Sequence, residues 1–463
     1  MPTTGATTPV QVPGPRRDPE ALLGQLRGPV HLPGDPAYDA LVRPWNLAVA
    51  VRPAAVHRAA DASDVAAAVR AARELGLRVS VQCTGHGAAA DGAGTLLVRT
   101  TDLDECTVHP KERWARVGAG VQWARVVALA AQHGLAPLNG SSGDVGVVGY
   151  TTGGGTGPFA RTYGLASDRV RAFEVVTGDG VLRRVTPELE PELFWGLRGG
   201  KGVLGVVTAV EFDLVELAEF YGGAVFFDGS DAAVVLQTWR TWCADLPELA
   251  TTSVAVLQLP PLPGVPPPLA GRTTVAVRFA WAGPAREGER LLAPVRAAAP
   301  VVLDGAGVLP YTAVDVVHSD PVEPMPATER AAVLRELTDE AVQALLHRAG
   351  PGSDSPQLLV ELRQLGGAVC RPARHDSAFD HRDAAFGLLV VGVPSDPWTA
   401  AHARQLVEAM APWDAGHLLP NFAATDDPAV FARCYRPQTL ARLRRAVRTY
   451  DPHGVIAQAD LLG

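Results

Sequence analysis

Apolar and polar positions follow a regular rhythm in the first half of the chain. Residues 65–77 and 121–133 are apolar at helical spacing, and Gly76 and Gly134 stand where such helices end. Short apolar runs around them predict buried strands at 48–51, 77–83, 96–98, 114–117, 170–176 and 203–212. This alternation of strands and helices predicts an α/β or α+β domain.

The rhythm changes between about residue 218 and residue 410. Strands are predicted at 224–227, 253–258, 273–280, 357–363 and 385–391. Helices are predicted at 231–245, 287–298, 327–349 and 397–411, and a further helix at 437–450. We expect an antiparallel sheet that carries helices on one face in the region 218–410.

Composition narrows the possible partners. The 463 residues are 47% hydrophobic, enough for more than one domain, and the net charge is −8 without a basic cluster that would bind nucleic acid. The five cysteines are odd in number and show no CxxC spacing, so we expect free thiols, no disulfide framework and no metal site. The chain shows neither a signal peptide nor a long apolar run, so we expect a cytoplasmic protein without a membrane partner.

Two glycine-rich stretches are candidates for a phosphate-binding backbone. Residues 145–157 contain six glycines, and a second run covers Arg198-Gly-Gly-Lys-Gly202. Pro158 stands where a dinucleotide fingerprint needs its last glycine, and Gly202 stands where a P-loop needs serine or threonine. Neither nucleotide motif is therefore present. The two loops are equally consistent with a long cofactor lying against backbone and with tight structural turns.

One histidine stands in an unusual setting. His86 lies in Cys83-Thr84-Gly85-His86-Gly87, with glycine on both sides of a nucleophilic ring. A lone histidine near a strand end is more often a surface or hydrogen-bonded imidazole than a functional one. The local pattern alone does not decide what this ring binds.

Taken in order, these motifs resemble the FAD-binding domain of the vanillyl-alcohol-oxidase type. More narrowly, they are similar to the berberine-bridge-enzyme-like FAD-linked oxidases. The resemblance covers about residues 40–217 and 410–463. It rests on Gly85-His86-Gly87, Val145–Gly157, Phe194–Gly200, Gly205–Thr208, Pro420-Asn421-Phe422, Tyr435, Arg442-Leu443 and Tyr450-Asp451-Pro452.

The resemblance implies an α+β fold with two domains. A PCMH-type FAD-binding domain would occupy 21–217 after a flexible tail at 1–20, a substrate domain would be inserted at 218–410, and 411–463 would return to the FAD-binding domain. The resemblance further implies that His86 bonds the 8α-methyl carbon of the flavin. The other expected cofactor-binding residues are Thr84, Gly85, Gly87, Ser142, Asp144, Val145, Gly146, Gly149, Gly153, Gly154, Gly155, Gly205, Val206, Val207 and Asn421.

Two positions depart from the family pattern. Many relatives carry a second flavin-bonding cysteine where this chain has Ser142, and serine cannot form that thioether. We therefore predict covalent FAD with a single anchor, since Cys83 should point away from His86 in an extended chain. Relatives often carry a tyrosine base where this chain has Phe422, which cannot accept a proton.

Because Phe422 cannot act as the base, the base is expected to come from the region 218–410. Glu361 and Arg363 share one face of a predicted strand, so both could face the substrate, although a structural ion pair would use the same spacing. Tyr435, Tyr311 and His375 are further candidates. Gly140 would leave space for oxygen beside the flavin, which favours an oxidase.

The predicted reaction is hydride transfer from an alcohol, sugar or natural-product intermediate to FAD, with dioxygen as the final acceptor. Two alternatives remain open at this stage. One is a flavin-dependent oxidative or non-redox cyclase, and the other is a degenerate fold that binds a ligand without converting it. The retained His86 and glycine loops count against the second alternative.

Overall fold

The computed structural model describes residues 18–22, 24–423 and 425–463. Most of the predicted tail at 1–20 lies outside the described residues, and a 3-10 helix begins at Pro19. No described helix combines the length and the apolar character needed to cross a membrane.

The first part of the chain builds a parallel and an antiparallel sheet. Its elements are β1 (Val30–His31), α1 (Tyr38–Val42), β2 (Ala55–Arg58), α2 (Ala62–Leu75), β3 (Arg78–Gln82), β4 (Thr95–Arg99), β5 (Cys106–His109), β6 (Trp114–Gly118), α3 (Trp123–Ala131), β7 (Leu135–Ala136), α4 (Val147–Thr152), α5 (Ala160–Tyr163), β8 (Val170–Val176), β9 (Leu182–Val185), α6 (Pro191–Leu197), β10 (Val206–Asp213) and β11 (Val215–Glu216). The strand order is β1-β2-β4-β3 in one sheet, where β2 and β3 run parallel to β4, and β5-β6-β10-β8-β9 in the other. Strands β7 and β11 form a separate pair.

The second part of the chain forms one large antiparallel sheet. Its elements are β12 (Glu219–Asp228), α7 (Ala232–Ala244), β13 (Ala250–Leu259), β14 (Arg272–Trp281), α8 (Ala285–Arg296), β15 (Val301–Asp304), β16 (Gly307–Pro310), β17 (Thr328–Leu334), α9 (Asp339–Ala349), β18 (Gln357–Gln364), β19 (Phe386–Gly392) and α10 (Pro397–Ala409). The strand order is β15-β12-β14-β13-β18-β19-β17, and β16 also pairs with β12. Helices α7 to α10 pack with the sheet around a buried core that includes Trp239, Phe279 and Trp281. The predicted α+β fold class, with an antiparallel sheet covered by helices, is thus confirmed.

Local chain chemistry explains why α2 begins and ends where it does. The Asp61 side chain accepts a hydrogen bond from the Asp64 amide at the N-terminus. Gly76 adopts the left-handed conformation, with φ of 68°, at the C-terminus.

Two sequence predictions are wrong. The segment 327–349 was expected to be one helix, but its first part is strand β17, which pairs with β19, and only Asp339–Ala349 is helical. Residues 48–51 do not form a strand with ladder partners; Val51 makes one isolated bridge, and the strand lies at Ala55–Arg58.

The chain after residue 410 packs back onto the first part through α11 (Pro428–Ala432) and α12 (Pro437–Tyr450). Arg442 of α12 pairs with Glu192 at 2.7 Å and lies over the Trp195 ring of α6. The Val79 amide of β3 donates to the Val455 carbonyl at 2.7 Å. This segment therefore contacts both α6 and β3 of the first part.

Candidate active site

His86 is held by three neighbours. Its Nδ1 lies 2.8 Å from the Thr84 hydroxyl, and its Nε2 lies 3.2 Å from an Asp144 carboxylate oxygen. The Trp45 ring stacks on the imidazole at 4.8 Å between centroids. The ring is about one-fifth exposed, so its plane is fixed while one edge stays accessible.

Asp144 links His86 to the glycine-rich stretch. Its carboxylate also accepts a hydrogen bond from the Ser142 hydroxyl. Burial raises the pKa of Asp144, but the hydrogen bonds from His86 and Ser142 outweigh burial and hold that pKa below its ordinary value. Asp144 is therefore a stable carboxylate that orients the imidazole.

The loop 141–144 connects this site to the inserted sheet. The Ser141 hydroxyl donates to Asp320 at 2.5 Å, and the Gly143 amide donates to Asp315 at 3.0 Å. These two aspartates flank residues 316–319 at the rim of the large sheet. Direct hydrogen bonds thus join the loop next to Asp144 to the segment 315–320.

A buried ionic cluster stands on the large sheet. Glu361 of β18 is completely buried and accepts hydrogen bonds from Arg363 at 2.6 Å, Arg278 at 2.5 Å and the Ser253 hydroxyl at 2.8 Å. Burial raises the pKa of Glu361, but the guanidinium groups of Arg363 and Arg278 hold the pKa well below its ordinary value. Glu361 is consequently a weak base, and it organises its neighbours.

His318 is the second imidazole of the site. Its Nε2 lies 3.5 Å from Glu361, while its Nδ1 is buried and has no hydrogen-bond partner among residues 18–22, 24–423 and 425–463. Burial is the main cause that lowers the pKa of His318 below its ordinary value. The ring is therefore neutral near pH 7, with a free lone pair on Nδ1 if the carboxylate holds the proton on Nε2.

The ionic cluster borders a cavity between the two parts of the chain. Its wall includes Gly157 and Pro158 from the first part of the chain and Arg278, His318 and Arg363 from the second part. Arg363 donates to Glu361 only through Nε, which leaves its two terminal amino groups for a ligand. Its guanidinium also lies 5.4 Å from the Phe422 ring centre.

Lys201 and Asn421 form a polar pair between the glycine loops. Lys201 has a φ of 56°, and its Nζ donates to Asn421 Oδ1 at 2.8 Å. Burial lowers the pKa of Lys201 to about 8. The Asn421 amide donates in turn to the Tyr150 carbonyl at 2.8 Å, so the 420–422 segment is tied to α4.

The other base candidates, Tyr435, Tyr311 and His375, lie away from the cavity. Tyr435 donates its hydroxyl to the Gly199 carbonyl at 2.9 Å, and Tyr311 donates to the Pro137 carbonyl at 2.5 Å. The His375 ring meets the Phe194 ring edge-on at 5.9 Å. None of these three residues lines the cavity among the described residues.

Gly140 does not leave the free space that the sequence suggested. A Cβ added at Gly140 would lie 2.9 Å from the Tyr150 ring, so the tyrosine fills that position. The space that the sequence suggested for oxygen at Gly140 is therefore taken by a side chain of α4.

Comparison with known proteins gives a consistent result. A family model described as an FAD binding domain matches residues 53–186. (R)-6-hydroxynicotine oxidase of Paenarthrobacter nicotinovorans is 29% identical over 458 residues, which cover 92% of this chain and 94% of the relative. The crystal structure of 6-hydroxy-D-nicotine oxidase from Arthrobacter nicotinovorans superposes with a TM-score of 0.81 at 26% identity, covering 94% of this chain and 97% of that chain.

This chain is an FAD-linked oxidase, with an FAD-binding domain matched at residues 53–186 and homology to 6-hydroxynicotine oxidase. BBE-like 1 of Physcomitrella patens shares the fold, with a TM-score of 0.82 at 17% identity, covering 96% of this chain and 98% of that chain. This FAD-linked oxidase is an oxidoreductase, as the sequence predicted.

The open glycines of this FAD-linked oxidase fit a bound FAD. Gly149 is exposed, and a Cβ added there would have no atom within 4 Å. Gly146, three residues earlier, packs against Cys83 and Thr84, so the open face of α4 adjoins the loop that carries His86. Gly87 is likewise exposed. A flat ring could approach this backbone closely because no side chain stands there.

Other expected cofactor residues have packing partners within the protein. A Cβ at Gly153 would strike the Asn421 side chain, one at Gly154 the Phe379 ring, and one at Gly155 the Tyr150 ring. Val206 and Val207 are buried at the start of β10 and pair with β8, while Gly205 has a φ of 147°. Gly85 has a φ of 84°, and Val145 accepts a hydrogen bond from the Trp123 amide. Direct FAD contacts at these positions stay predictions.

Sequence reasoning missed several residues that the fold brings to the site. Arg278 gave one signal, a charged residue within the otherwise apolar run Val275–Trp281. Trp45 and His318 gave none, since each reaches the site through contacts with residues distant in sequence.

Proposed function

We propose that this FAD-linked oxidase carries its FAD covalently on His86 and oxidises a small polar molecule bound in the cavity beside Arg363 and His318. The observation that carries the proposal is the continuous polar path from His86 through Asp144 and the loop 141–144 to the segment 315–320 and Glu361. A cofactor site and a substrate site need such a common boundary.

On the cofactor side, Asp144 determines which nitrogen of His86 can react. A carboxylate at 3.2 Å from Nε2 favours the tautomer that carries the proton there. The lone pair then lies on Nδ1, beside the Thr84 hydroxyl. Ser142 cannot supply a second thioether, so His86 is the single proposed anchor. Bound FAD would supply the two-electron acceptor, and dioxygen would regenerate it.

On the substrate side, Arg363 and His318 have different roles. Arg363 binds an oxygen of the substrate with its terminal amino groups, because a planar guanidinium offers a preorganised pair of donors. His318 accepts the proton of the reacting hydroxyl or amine on Nδ1, and Glu361 positions both residues. Tyrosine is replaced by Phe422 in this chain, so a base from the inserted domain would take its place.

The cofactor proposal is tested by the intact mass of denatured protein. We expect a gain of one FAD in the wild type, its complete loss in His86→Ala, and its retention in His375→Ala, whose ring lies against Phe194. A wild-type mass without FAD, together with yellow colour released by acid, would reject the covalent anchor.

The substrate proposal is tested by anaerobic flavin bleaching with alcohols, sugars and amines. The panel includes 6-hydroxynicotine, because one of the relatives reported above is named as its oxidase. A compound that bleaches the flavin should release hydrogen peroxide in air and lose two hydrogens. Bleaching without peroxide release would remove dioxygen as the acceptor and leave the substrate assignment intact.

A further inference from the structure

Three potential metal ligands converge outside the proposed active site. One ligand atom each from His381, Asp383 and His417 lies within 4.8 Å of the other two. His381 and Asp383 belong to the segment 371–385 before β19, whereas His417 lies between α10 and Asn421. Two chain segments that are more than 30 residues apart therefore meet at this cluster.

His417 has an unused ligand atom inside the cluster. The residue is 7% exposed, and its Nε2 is buried without a hydrogen-bond partner in the described part of the chain. A buried polar nitrogen without a partner is unfavourable, so such an atom needs an explanation. One oxygen of the neighbouring Asp380 is also buried without a hydrogen bond among the described residues, and it lies 3.9 Å from His381 Nε2.

The two imidazoles are arranged as a pair. Their rings stack in parallel at 3.9 Å between centroids, with an interplanar angle of 7°. The stack keeps the two side chains side by side although they come from different segments.

We propose that His381, Asp383 and His417 form a binding site for a zinc-type divalent cation, with water in the remaining position. Two imidazoles and one carboxylate suit Zn²⁺, whereas Mg²⁺ prefers oxygen ligands. Bonds of about 2.1 Å in a tetrahedral site place ligand atoms about 3.4 Å apart. Binding therefore requires the two imidazoles to rotate out of their parallel stack, so that a nitrogen of each ring points at the ion. The site does not depend on the proposed substrate or on the covalent flavin.

The position of the site gives the ion a structural role. The segment that carries His381 also carries Phe379, whose ring and backbone fill the space left by Gly154 and Gly199. His417 is followed four residues later by Asn421, which binds Lys201. An ion that joins His381 to His417 therefore holds both segments against the glycine loops.

Arg436 competes with the ion for Asp383. Its guanidinium lies 3.4 Å from an Asp383 oxygen, while its backbone amide donates to Asp380. Asp414 and Arg433 form a further ion pair on the His417 side. Removal of the Arg436 side chain should free the Asp383 carboxylate and strengthen metal binding. A cluster that does not bind metal through Asp383 would show no such gain.

The experiment is a calorimetric titration of zinc chloride into the chelator-treated, flavin-loaded protein. We expect one equivalent per chain, with affinity at least about tenfold weaker in His381→Ala and Asp383→Asn and stronger in Arg436→Gln. His347→Ala, which removes an exposed histidine on α9, should bind as the wild type does. Magnesium chloride should give no saturable signal.

Hydrogen exchange provides a second readout. Zinc should slow exchange in residues 375–384 and 414–421 of the wild type and not in Asp383→Asn. The proposal is overturned if the wild type binds no stoichiometric zinc, or if His381→Ala and Asp383→Asn bind zinc like the wild type. Asp383 is largely exposed, so its substitution should not disturb folding.

Discussion

At the scale of single residues, a histidine lies beside a carboxylate at two places in this site. His86 has Asp144 at 3.2 Å from one ring nitrogen, and His318 has Glu361 at 3.5 Å. In each case a carboxylate with a lowered pKa favours a proton on the nitrogen that faces it and leaves the lone pair on the other nitrogen. Two histidines can thereby serve two different roles.

The role of His318 can be tested by pH dependence. The neutral ring is required, and its pKa lies below 6.5, so kcat/KM should fall as the pH decreases through that lowered value. His318→Gln should reduce kcat by about 10²–10⁴-fold and remove this acidic limb. The measurement is kcat/KM from pH 4.5 to 8 with any substrate that bleaches the wild-type flavin.

The flavin content of His318→Gln, measured by intact mass, serves as the control and should equal that of the wild type. An unchanged rate with the same acidic limb would assign the proton transfer to another group.

The sequence supported part of this residue-level picture. The motif around His86 and the position of Asp144 were expected from chain order, since both lie next to recognisable glycines. Arg278 and His318 were not, because each is brought to Glu361 by strand pairing or loop packing across 40 or more residues.

At the scale of elements, prediction succeeded where local chemistry decides the structure. Helix α12 was predicted at 437–450 and is observed at Pro437–Tyr450, and strand β8 was predicted at 170–176 and is observed there. It failed at β17, whose residues Thr-Glu-Arg-Ala-Ala-Val-Leu have good helix propensity. Pairing with β19 at the sheet edge outweighs that propensity, and only the tertiary structure contains this information.

Helix α4 offers a test that separates stability from cofactor binding. Gly149→Ala should stabilise the flavin-free protein by about 0.5–1 kcal/mol, because alanine favours the helix and nothing lies near the new methyl group. The same substitution should lower flavin incorporation, because the methyl group would stand on the open face. Urea unfolding and the ratio of flavin to protein absorbance measure the two effects.

Gly157→Ala is the matched comparison, since its Cβ would lie 2.0 Å from the Asn139 carbonyl and should destabilise the fold. A Gly149→Ala protein with full flavin content would place the cofactor away from α4.

At the scale of the whole molecule, Arg161 ties the two parts of the chain together. Its buried guanidinium donates to the carbonyls of Ala250 at 2.8 Å, Leu365 at 2.5 Å and Leu246 at 3.2 Å. These carbonyls belong to the inserted region, whereas Arg161 lies in α5 next to the glycine-rich stretch. The sequence suggested two domains but not this residue, because a single buried arginine leaves no periodic signal.

Arg161→Met should therefore weaken the contact between the two parts. Three carbonyls lose their donor, at about 1–3 kcal/mol for each that stays buried and unpaired. We expect the calorimetric unfolding peak to broaden or split, because each part has its own hydrophobic core. Arg404→Met, on an exposed face of α10, is the control, and a single unshifted peak for Arg161→Met would contradict the prediction.

The contact between Val79 and Val455 has a consequence for how the protein is made. Strand β3 gains this edge partner only after about 375 further residues have been synthesised, whereas the inserted sheet uses partners from its own stretch of chain. On the ribosome, the inserted sheet can fold first, while the sheet beneath His86 stays incomplete. We therefore expect FAD to bind beside this sheet only after the segment that carries Val455 has left the ribosome.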